Sequence, residues 1–447
     1  MNKFRQFWSN LRSSFWFMPS LIVVFSVAFA VALIEADSAG NDQWLTQWPR
    51  LFGAGAQGAR GMMSTIAGSM MTVVGVTFSM ILVVLALASS QYTSRILRNF
   101  MRSRITQVVL GIFAGIFTYC LIVLRTIRGG DEGAFVPNMA VFFGFVLALG
   151  GVGALMFFIH HIASSIQASS IISSVAEETI AAIDRLFPEK LGQGPEKDDD
   201  DQTLRPPSER IWRAVPASQS GYIQNVNNSA LLRLARDRKT IVLMQHGIGE
   251  FVVQNTTLAS LALEDQPDQE TIATLQATFS ISSHRTVEQD AAFGIRQIVD
   301  MALKALSPGI NDTTTAVMCV DYLTAIMARI APRGIPSSRR YEEGELRVIA
   351  KGPSFESLLA ESFDQIRGTA VGNVAIMLRM LGALQTIASM TVRPDRRRSL
   401  RDQVQWITEM ADRTLESAHD RARIETRLAH VREALETEPI LCSGEEN

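Results

Sequence analysis

The chain has 447 residues, a formal net charge of −2 and 47% hydrophobic residues, and its mean hydropathy of +0.15 is high for a soluble protein. Its length allows two or three domains. The near-neutral charge argues against a nucleic-acid-binding protein, because phosphate contacts require a concentrated basic surface.

The long apolar runs all lie before Ser165 and predict an α-helical membrane domain, residues 1–165. The first run has an apolar core of about twenty residues, which favours an uncleaved membrane anchor over the competing cleaved signal peptide. The spans of the four transmembrane helices are predicted near residues 15–34, 64–90, 106–124 and 137–161.

The second apolar run carries small and hydroxylated residues at steps of three, four and seven, which form one stripe on a helix. Two interpretations remain open. The stripe either packs closely against the other helices of the bundle or lines a pore at the axis of an oligomer. The residues of this stripe are Thr65, Gly68, Ser69, Thr72, Gly75, Ser79, Ala86 and Ser90.

Lysine and arginine are concentrated in the N-terminal segment and in the loop that follows the second predicted helix. The other two short loops carry fewer basic residues, together with several acidic ones. The positive-inside rule therefore predicts that both termini and the second loop are cytoplasmic. The basic residues of that loop are Arg95, Arg98, Arg102 and Arg104.

Two adjacent histidines, His160 and His161, lie at the predicted cytoplasmic end of the fourth helix. Neighbouring helix positions point about 100° apart, so the two imidazoles cannot easily share one metal ion. Ionisable groups near a membrane are candidates for proton sensing or for a pore mouth. Anchoring of the helix at the membrane interface is an equally good interpretation.

Four segments of the chain resemble an uncharacterised bacterial membrane-protein family, domain of unknown function 2254. They are SSQYTSRILRNF at 89–100, FIHHIA at 158–163, RTVEQDAAFGIRQIVDMALKALS from Arg285, and SPGINDTTTA at 307–316. The resemblance implies a multi-pass inner-membrane protein and supplies no established reaction. The family usually has proline where this chain has Ser94 and Thr313.

The second half of the chain predicts an α+β cytoplasmic region that contains a small β-module and a helical hairpin. Its first helix is amphipathic and is expected to continue the fourth membrane helix without interruption. A linker rich in proline and acidic residues follows. The predicted parts are the helical extension 166–187, the linker 188–212, the β-module 213–278, a helical domain with one or more strands at 279–395, and a C-terminal charged helix and tail at 396–447.

Within the β-module, the segment from Gly249 to Ala259 resembles the strand–turn–strand of a biotinyl- or lipoyl-type barrel sandwich. Asn255 occupies the turn, where a left-handed conformation is tolerated by asparagine. The hairpin that carries a modified lysine is absent from the sequence. Only the shape of this fold is therefore expected.

The helical hairpin turns at a segment that comprises Ser307, Pro308, Gly309, Asn311 and Asp312. Proline ends the first helix, glycine allows the reversal, and the aspartate is placed to cap the second helix. Capping explains the asparagine and aspartate without a function. The alternative is a polar loop that faces an ion path or a neighbouring subunit.

The C-terminal segment is predicted to be one long charged helix, whose apolar positions form either a coiled-coil seam or a face that packs on the chain itself.

Searches for catalytic motifs find no P-loop, HExxH, GxSxG or dinucleotide-binding glycine motif. Cys120, Cys319 and Cys442 lack the spacing of a zinc knuckle or redox motif, and this pattern fits a reducing cytoplasm. No cofactor, metal ion or catalytic residue is therefore predicted.

The predicted function is a homo-oligomeric channel or transport-type protein with a cytoplasmic regulatory region. A membrane-anchored scaffold or sensor that binds a cytoplasmic partner is the alternative. An enzyme of lipid or cell-envelope substrates ranks third. The expected partners are the lipid bilayer, further copies of the chain and an unidentified cytoplasmic protein, but no nucleic acid.

Overall fold

The computed structural model describes residues 16–38, 55–91, 104–129, 135–165, 167–187 and 210–437, and side chains 87–91 and 165 are not described. Residues Met1–Ser170 and Ile171–Asn447 form two compact units, called here the N-terminal and C-terminal units. Arg95, Arg98, Arg102, Ser94, Cys442 and most of the predicted linker 188–212 lie outside the described residues.

The described part of the N-terminal unit contains four helices that are long and apolar enough to cross a membrane. Apolar length is a local property of the sequence, which is why the sequence predicts these helices correctly. They are α1 Phe17–Ser38, α2 Ala56–Gln91, α3 Arg104–Thr126 and α4 Asn138–Ser165.

Helix α3 is the central helix of this unit. Its most apolar stretch is 56% buried, against 11% for α1, 22% for α2 and 17% for α4. Gly111 lets α1 approach closely, because a Cβ atom there would lie 2.9 Å from the Cα atom of Pro19. The three outer helices therefore expose most of their apolar surface.

Helices α1 and α2 extend further into the connection between them than the sequence predicts. The polar end of α1 stays helical because Asp37 is only 5% exposed and binds the first turn of α4. Its carboxylate accepts hydrogen bonds from the backbone N–H groups of Met139 and Ala140, each at 3.2 Å. At the start of α2, Arg60 donates to the carbonyl of Ile127 at 2.8 Å.

The fourth helix does not continue without interruption into the amphipathic segment, so that prediction is wrong. Helix α4 ends at Ser165 and a separate helix, α5 Ala168–Leu186, follows a bend at Gln167.

The C-terminal unit has the predicted α+β composition. Its elements beyond α5 are β1 Trp212–Pro216, β2 Gly221–Val226, α6 Asn228–Asp237, β3 Val242–Met244, β4 Phe251–Val252, β5 Thr257–Ala262, α7 Gln269–Ala277, β6 Phe279–Ser282, α8 Ala291–Ala305, α9 Thr313–Ile330, β7 Arg339–Glu342, β8 Glu345–Ile349, α10 Phe355–Thr369, α11 Val374–Ser389, α12 Pro394–Thr414 and α13 Ala418–Glu436.

The strands form a five-stranded sheet in the order β1-β5-β3-β8-β7 and a three-stranded antiparallel sheet in the order β4-β2-β6. Strands β3 and β8 run parallel, with Val242 opposite Val348 and Leu243 opposite Ile349. Strand β8 comes from 279–395, the segment predicted as a separate helical domain with one or more strands. The larger sheet therefore joins residues of the predicted segments 213–278 and 279–395.

The expected barrel-sandwich shape is wrong. Strands β4 and β5 flank the turn at Asn255, but they belong to different sheets and do not pair with each other. The turn itself is as predicted, because Asn255 has a φ of 68°. Local turn chemistry was therefore correct, while the pairing partners of the two strands lie elsewhere in the chain.

The C-terminal charged segment forms two helices, so the prediction of one long helix is also wrong. Helix α12 ends at Thr414, and Ser417 caps α13 by accepting a hydrogen bond from the N–H of Asp420 at 3.3 Å. The apolar positions Leu400 and Ile407 are fully buried, and α12 packs against α10 and α11. This face therefore packs on the chain itself.

Candidate functional site

The stripe of small residues on α2 lies on an exposed face of the chain. Six of its members are exposed: Thr65, Gly68, Ser69, Thr72, Gly75 and Ser79. Ala86 is exposed as well, and the side chain of Ser90 lies outside the described part. The described members of the stripe thus share exposure on α2, and the sequence alone does not determine what that face contacts.

A different face of α2 packs against the other helices of the unit. At 3.6 residues per turn, this buried row lies about 180° away from the stripe. The buried residues are Ala59, Met63, Ala67, Met70, Thr77, Ile81 and Val84.

The glycines of the stripe face open space. A Cβ atom at Gly68 or Gly75 would meet nothing within 4 Å among the residues that the structure describes. A Cβ atom at Gly115 of α3 would instead lie 2.5 Å from the Ser26 hydroxyl of α1. Packing within the described chain therefore accounts for the glycines of α3 and not for those of the stripe.

The stripe also follows a 3–4 spacing, through Gly61, Thr65, Gly68, Thr72, Gly75 and Ser79. Gly61, Gly68 and Gly75 recur every seven residues, as do Thr65, Thr72 and Ser79. A seven-residue repeat has a mean step of 3.5 residues, which keeps a row of residues facing one partner helix in a left-handed supercoil. The exposed face thus has the period of a helix–helix seam.

Two hydroxyl groups on this face are hydrogen-bonded within the helix. Thr65 donates to the carbonyl of Gly61 at 2.8 Å, and Thr72 donates to the carbonyl of Gly68 at 3.1 Å. Each hydroxyl oxygen retains acceptor capacity. The face is therefore weakly polar and contains no ionisable residue among the members of the stripe.

His160 and His161 lie in the last two turns of α4, the former exposed and the latter half-buried. The imidazole of His161 stacks on Phe157, with ring centroids 6.1 Å apart and an interplanar angle of 7°. Across the described residues, no cluster of three or more His, Cys, Asp or Glu side chains is placed to hold a metal ion.

The hairpin segment between α8 and α9 is built around a helix cap. Asp312 accepts a hydrogen bond from the N–H of Thr315 at 3.0 Å and another from the Thr315 hydroxyl. These hydrogen bonds, the hydroxyl's first, lower the pKa of Asp312. The left-handed residue of this segment is Asn311, with a φ of 49°, whereas Gly309, which was expected to allow the reversal, has no positive φ.

The same cap lies beside a second one. Asn373 caps α11 through the N–H of Ile376 and donates to the Thr313 hydroxyl at 3.2 Å. Ser307 is half-buried, with its hydroxyl bonded to the carbonyl of Lys304, whereas Pro308, Gly309 and Asn311 are exposed. Capping therefore accounts for Asp312, and the exposed tip closes the turn through the N–H groups of Ile310 and Asn311, which donate to the carbonyl of Ser307.

Sequence reasoning missed the groups that hold α5. Thr179 of α5 lies against Gly294 of α8, and Asp184 binds Arg329 and Arg333 near the end of α9. The partners are more than a hundred residues apart, so no local pattern connects them. The one available signal was Gly294, a glycine within an otherwise regular helical pattern.

Residues 12–386 match the model of a family described as predicted membrane proteins, domain of unknown function 2254. The chain belongs to this family. Three relatives are 31% identical to it over 445 residues, which are 98% of this chain and 83% of each relative. All three are titled uncharacterized proteins, one from Mycobacterium bovis and two from Mycobacterium tuberculosis. No solved structure matches the chain.

Family membership agrees with the four apolar helices and identifies the chain as a membrane protein. The matched range includes the α2 face, the two histidines and the hairpin segment.

Proposed function

We propose that this chain is a subunit of a homo-oligomeric channel or transport-type protein of the bacterial inner membrane, with both termini in the cytoplasm. In this proposal the subunits meet along the small-residue face of α2. The observation that carries the proposal is that no described residue covers Gly68 or Gly75, which lie on a face turned away from the other described helices of the N-terminal unit.

Association along this face has a physical basis. Copies of one membrane protein insert with the same orientation, so the α2 helices of neighbouring subunits run parallel. Small residues let two backbones approach closely and gain van der Waals contacts, which drive association inside a bilayer. The 3.5-residue period keeps the two faces together along their length.

The hydroxyl groups support a conducting path at the oligomer axis. The threonine hydroxyls donate within their own helix, and their oxygen atoms can still accept hydrogen bonds from water. A weakly polar wall without charges can hold water without binding ions too tightly for release.

The interface is tested with Gly68→Leu and the matched control Gly153→Leu, since Gly153 is an exposed glycine of α4 that also meets nothing within 4 Å. The oligomer mass in detergent is measured for each variant, together with ion flux through liposomes. Gly68→Leu should give monomers without flux, while Gly153→Leu should keep both mass and flux. A monomeric wild-type protein, or an unchanged mass in Gly68→Leu, would contradict the proposal.

The path itself is tested with Thr72→Val, which keeps the side-chain shape and removes the hydroxyl. We expect an unchanged oligomer mass and a flux reduced several-fold. Unchanged flux would mean that the face joins subunits without lining a path.

A scaffold or sensor role is the second candidate, and a pair of exposed apolar side chains favours it. Ile310 is 40% exposed and Val371 is 60% exposed. They belong to the two turns that meet through Thr313 and Asn373. Affinity capture with the full chain and with an Ile310→Asp variant is the test, and recovery of the same proteins by both would count against this role.

A further inference from the structure

Helix α5 has one buried face, and its second half contacts α8 and α9 of the C-terminal unit. Its inner side is buried from one end to the other, and its outer side carries serine and glutamate residues. The buried residues are Ile172, Val175, Ala176, Thr179, Ala182 and Ile183.

The middle of α5 meets α8 at a glycine. A Cβ atom at Gly294 would overlap the Thr179 hydroxyl oxygen. The two helices therefore touch at a position where a glycine leaves room for the threonine. One turn further, Ala182 packs with Val287 and Phe293. This contact is apolar and depends on close fit.

The end of α5 is held by ion pairs. Asp184 Oδ1 lies 2.9 Å from Arg329 Nε and 2.8 Å from Arg333 Nη2, and Arg333 Nη1 donates to the carbonyl of Phe187 at 2.8 Å. The hydrogen bond from Arg329 lowers the pKa of Asp184, so this carboxylate stays charged at neutral pH. Asp184, Arg329 and Arg333 are called the latch below.

The two covalent connections of α5 differ in length. Only residues 166 and 167 separate it from α4, whereas residues 188–209 separate Phe187 from Arg210. At about 3.5 Å per extended residue, the first connection spans less than about 15 Å and the second can span on the order of 70 Å. The covalent chain therefore ties α5 closely to α4, and its place on the C-terminal unit depends on non-covalent contacts.

We propose that α5 is a detachable arm, which leaves the C-terminal unit as one piece when the latch opens while α8 and α9 stay folded. The long second connection allows this release without unfolding the sheets. Because only residues 166 and 167 separate the end of α4 from the start of α5, attachment and release of the arm change the constraint on the end of that membrane helix.

The latch combines an exposed ion pair with a pair to a buried arginine. Asp184 and Arg329 are 39% and 44% exposed, and ion pairs with this exposure contribute little in water. Arg333 is only 4% exposed, so loss of its partners leaves a buried cation less well satisfied. Local opening of single elements below the free energy of global unfolding is common in proteins.

The experiment is hydrogen–deuterium exchange of the full-length protein in detergent micelles, which requires no transport activity and therefore stands apart from the proposed function. Asp184→Asn removes the negative charge of the latch and leaves both arginines in place. Glu178→Gln is the matched control, because Glu178 is an exposed acid on the same helix without a described ion pair. In Asp184→Asn we expect exchange across 172–186 to rise about three- to tenfold, with α8 and α9 unchanged, while Glu178→Gln matches the wild type.

Three results would overturn the proposal. Exchange of α5 could stay unchanged in Asp184→Asn, it could rise equally in Glu178→Gln, or it could rise only together with α8 and α9. If Asp184→Asn does not fold, wild-type protein at about 1 M salt replaces it, since that concentration screens exposed pairs. Selective faster exchange of α5 at high salt then supports the arm, and exchange that is unchanged or faster everywhere contradicts it.

Discussion

At the scale of single residues, Asp312 combines a helix cap with a lowered pKa. Replacement by alanine should lower the free energy of unfolding by about 1 kcal/mol, because an N–H of the first turn of α9 loses its acceptor. Replacement by asparagine should lower the free energy of unfolding by less, since its amide oxygen still accepts that hydrogen bond. Thermal unfolding at neutral pH measures the relative stability of the wild type and these two variants.

The direction of the pKa shift of Asp312 determines how the contribution of this cap depends on pH. A carboxylate whose folded pKa lies below its ordinary value stabilises the fold above about pH 4, and this contribution is lost as the pH falls through the lowered pKa. The difference between wild type and Asp312→Asn should thus be constant from neutral pH down to about pH 5 and shrink below about pH 4. A difference that grows on acidification would contradict this assignment.

Other residues show where local sequence patterns mislead. Arg396 and Arg397 belong to a highly charged stretch of the sequence, yet they are only 3% and 9% exposed. Arg396 donates to the carbonyls of Ile330, Ala331 and Arg333, and burial lowers its pKa to about 10. Its neighbour donates to carbonyls at the end of α13. Their carbonyl partners are supplied by the tertiary fold, so composition alone could not indicate the burial.

At the scale of elements, the contact between α5 and α8 gives a sharp prediction. Gly294→Ala should lower the unfolding free energy by about 1–3 kcal/mol, because the added methyl group forces the two helices apart. Gly368→Ala is the matched control, since Gly368 is an exposed helical glycine with nothing within 4 Å. That control should stabilise α10 by up to about 1 kcal/mol. Thermal unfolding shows whether each variant is less or more stable than the wild type. Equal effects of the two substitutions would refute the close contact between α5 and α8.

Element boundaries were predicted well where caps and turns lie in the sequence itself. Asn255 and Asp312 perform the turn and cap that their residue types indicate. The prediction failed at the end of α1, where Asp37 belongs to the cap of α4, a helix about a hundred residues away. A polar residue near an apolar run indicates a loop only when no distant partner binds it.

At the scale of the whole molecule, the sheet that joins β3 to β8 predicts which fragments fold. A fragment of residues 210–282 contains the predicted β-module but lacks β8, so the backbone of β3 has no parallel neighbour and Val348 is missing from the core. We expect poor amide dispersion in its NMR spectrum, and a dispersed spectrum from the fragment 210–437. A well-dispersed spectrum of the shorter fragment would show that β8 is dispensable.

The sequence by itself determined the four apolar helices, the α+β character of the second half, the family and the existence of a small-residue face on α2, because each depends on composition or on spacing within one segment. Only the tertiary structure decided that this face turns away from the other described helices of its unit, that β8 lies beside β3, and that α5 is held by α8 and α9. Those features depend on which distant segments meet. The free energy of such a contact depends on both of the segments that meet. A pattern within one segment contains no information about the other.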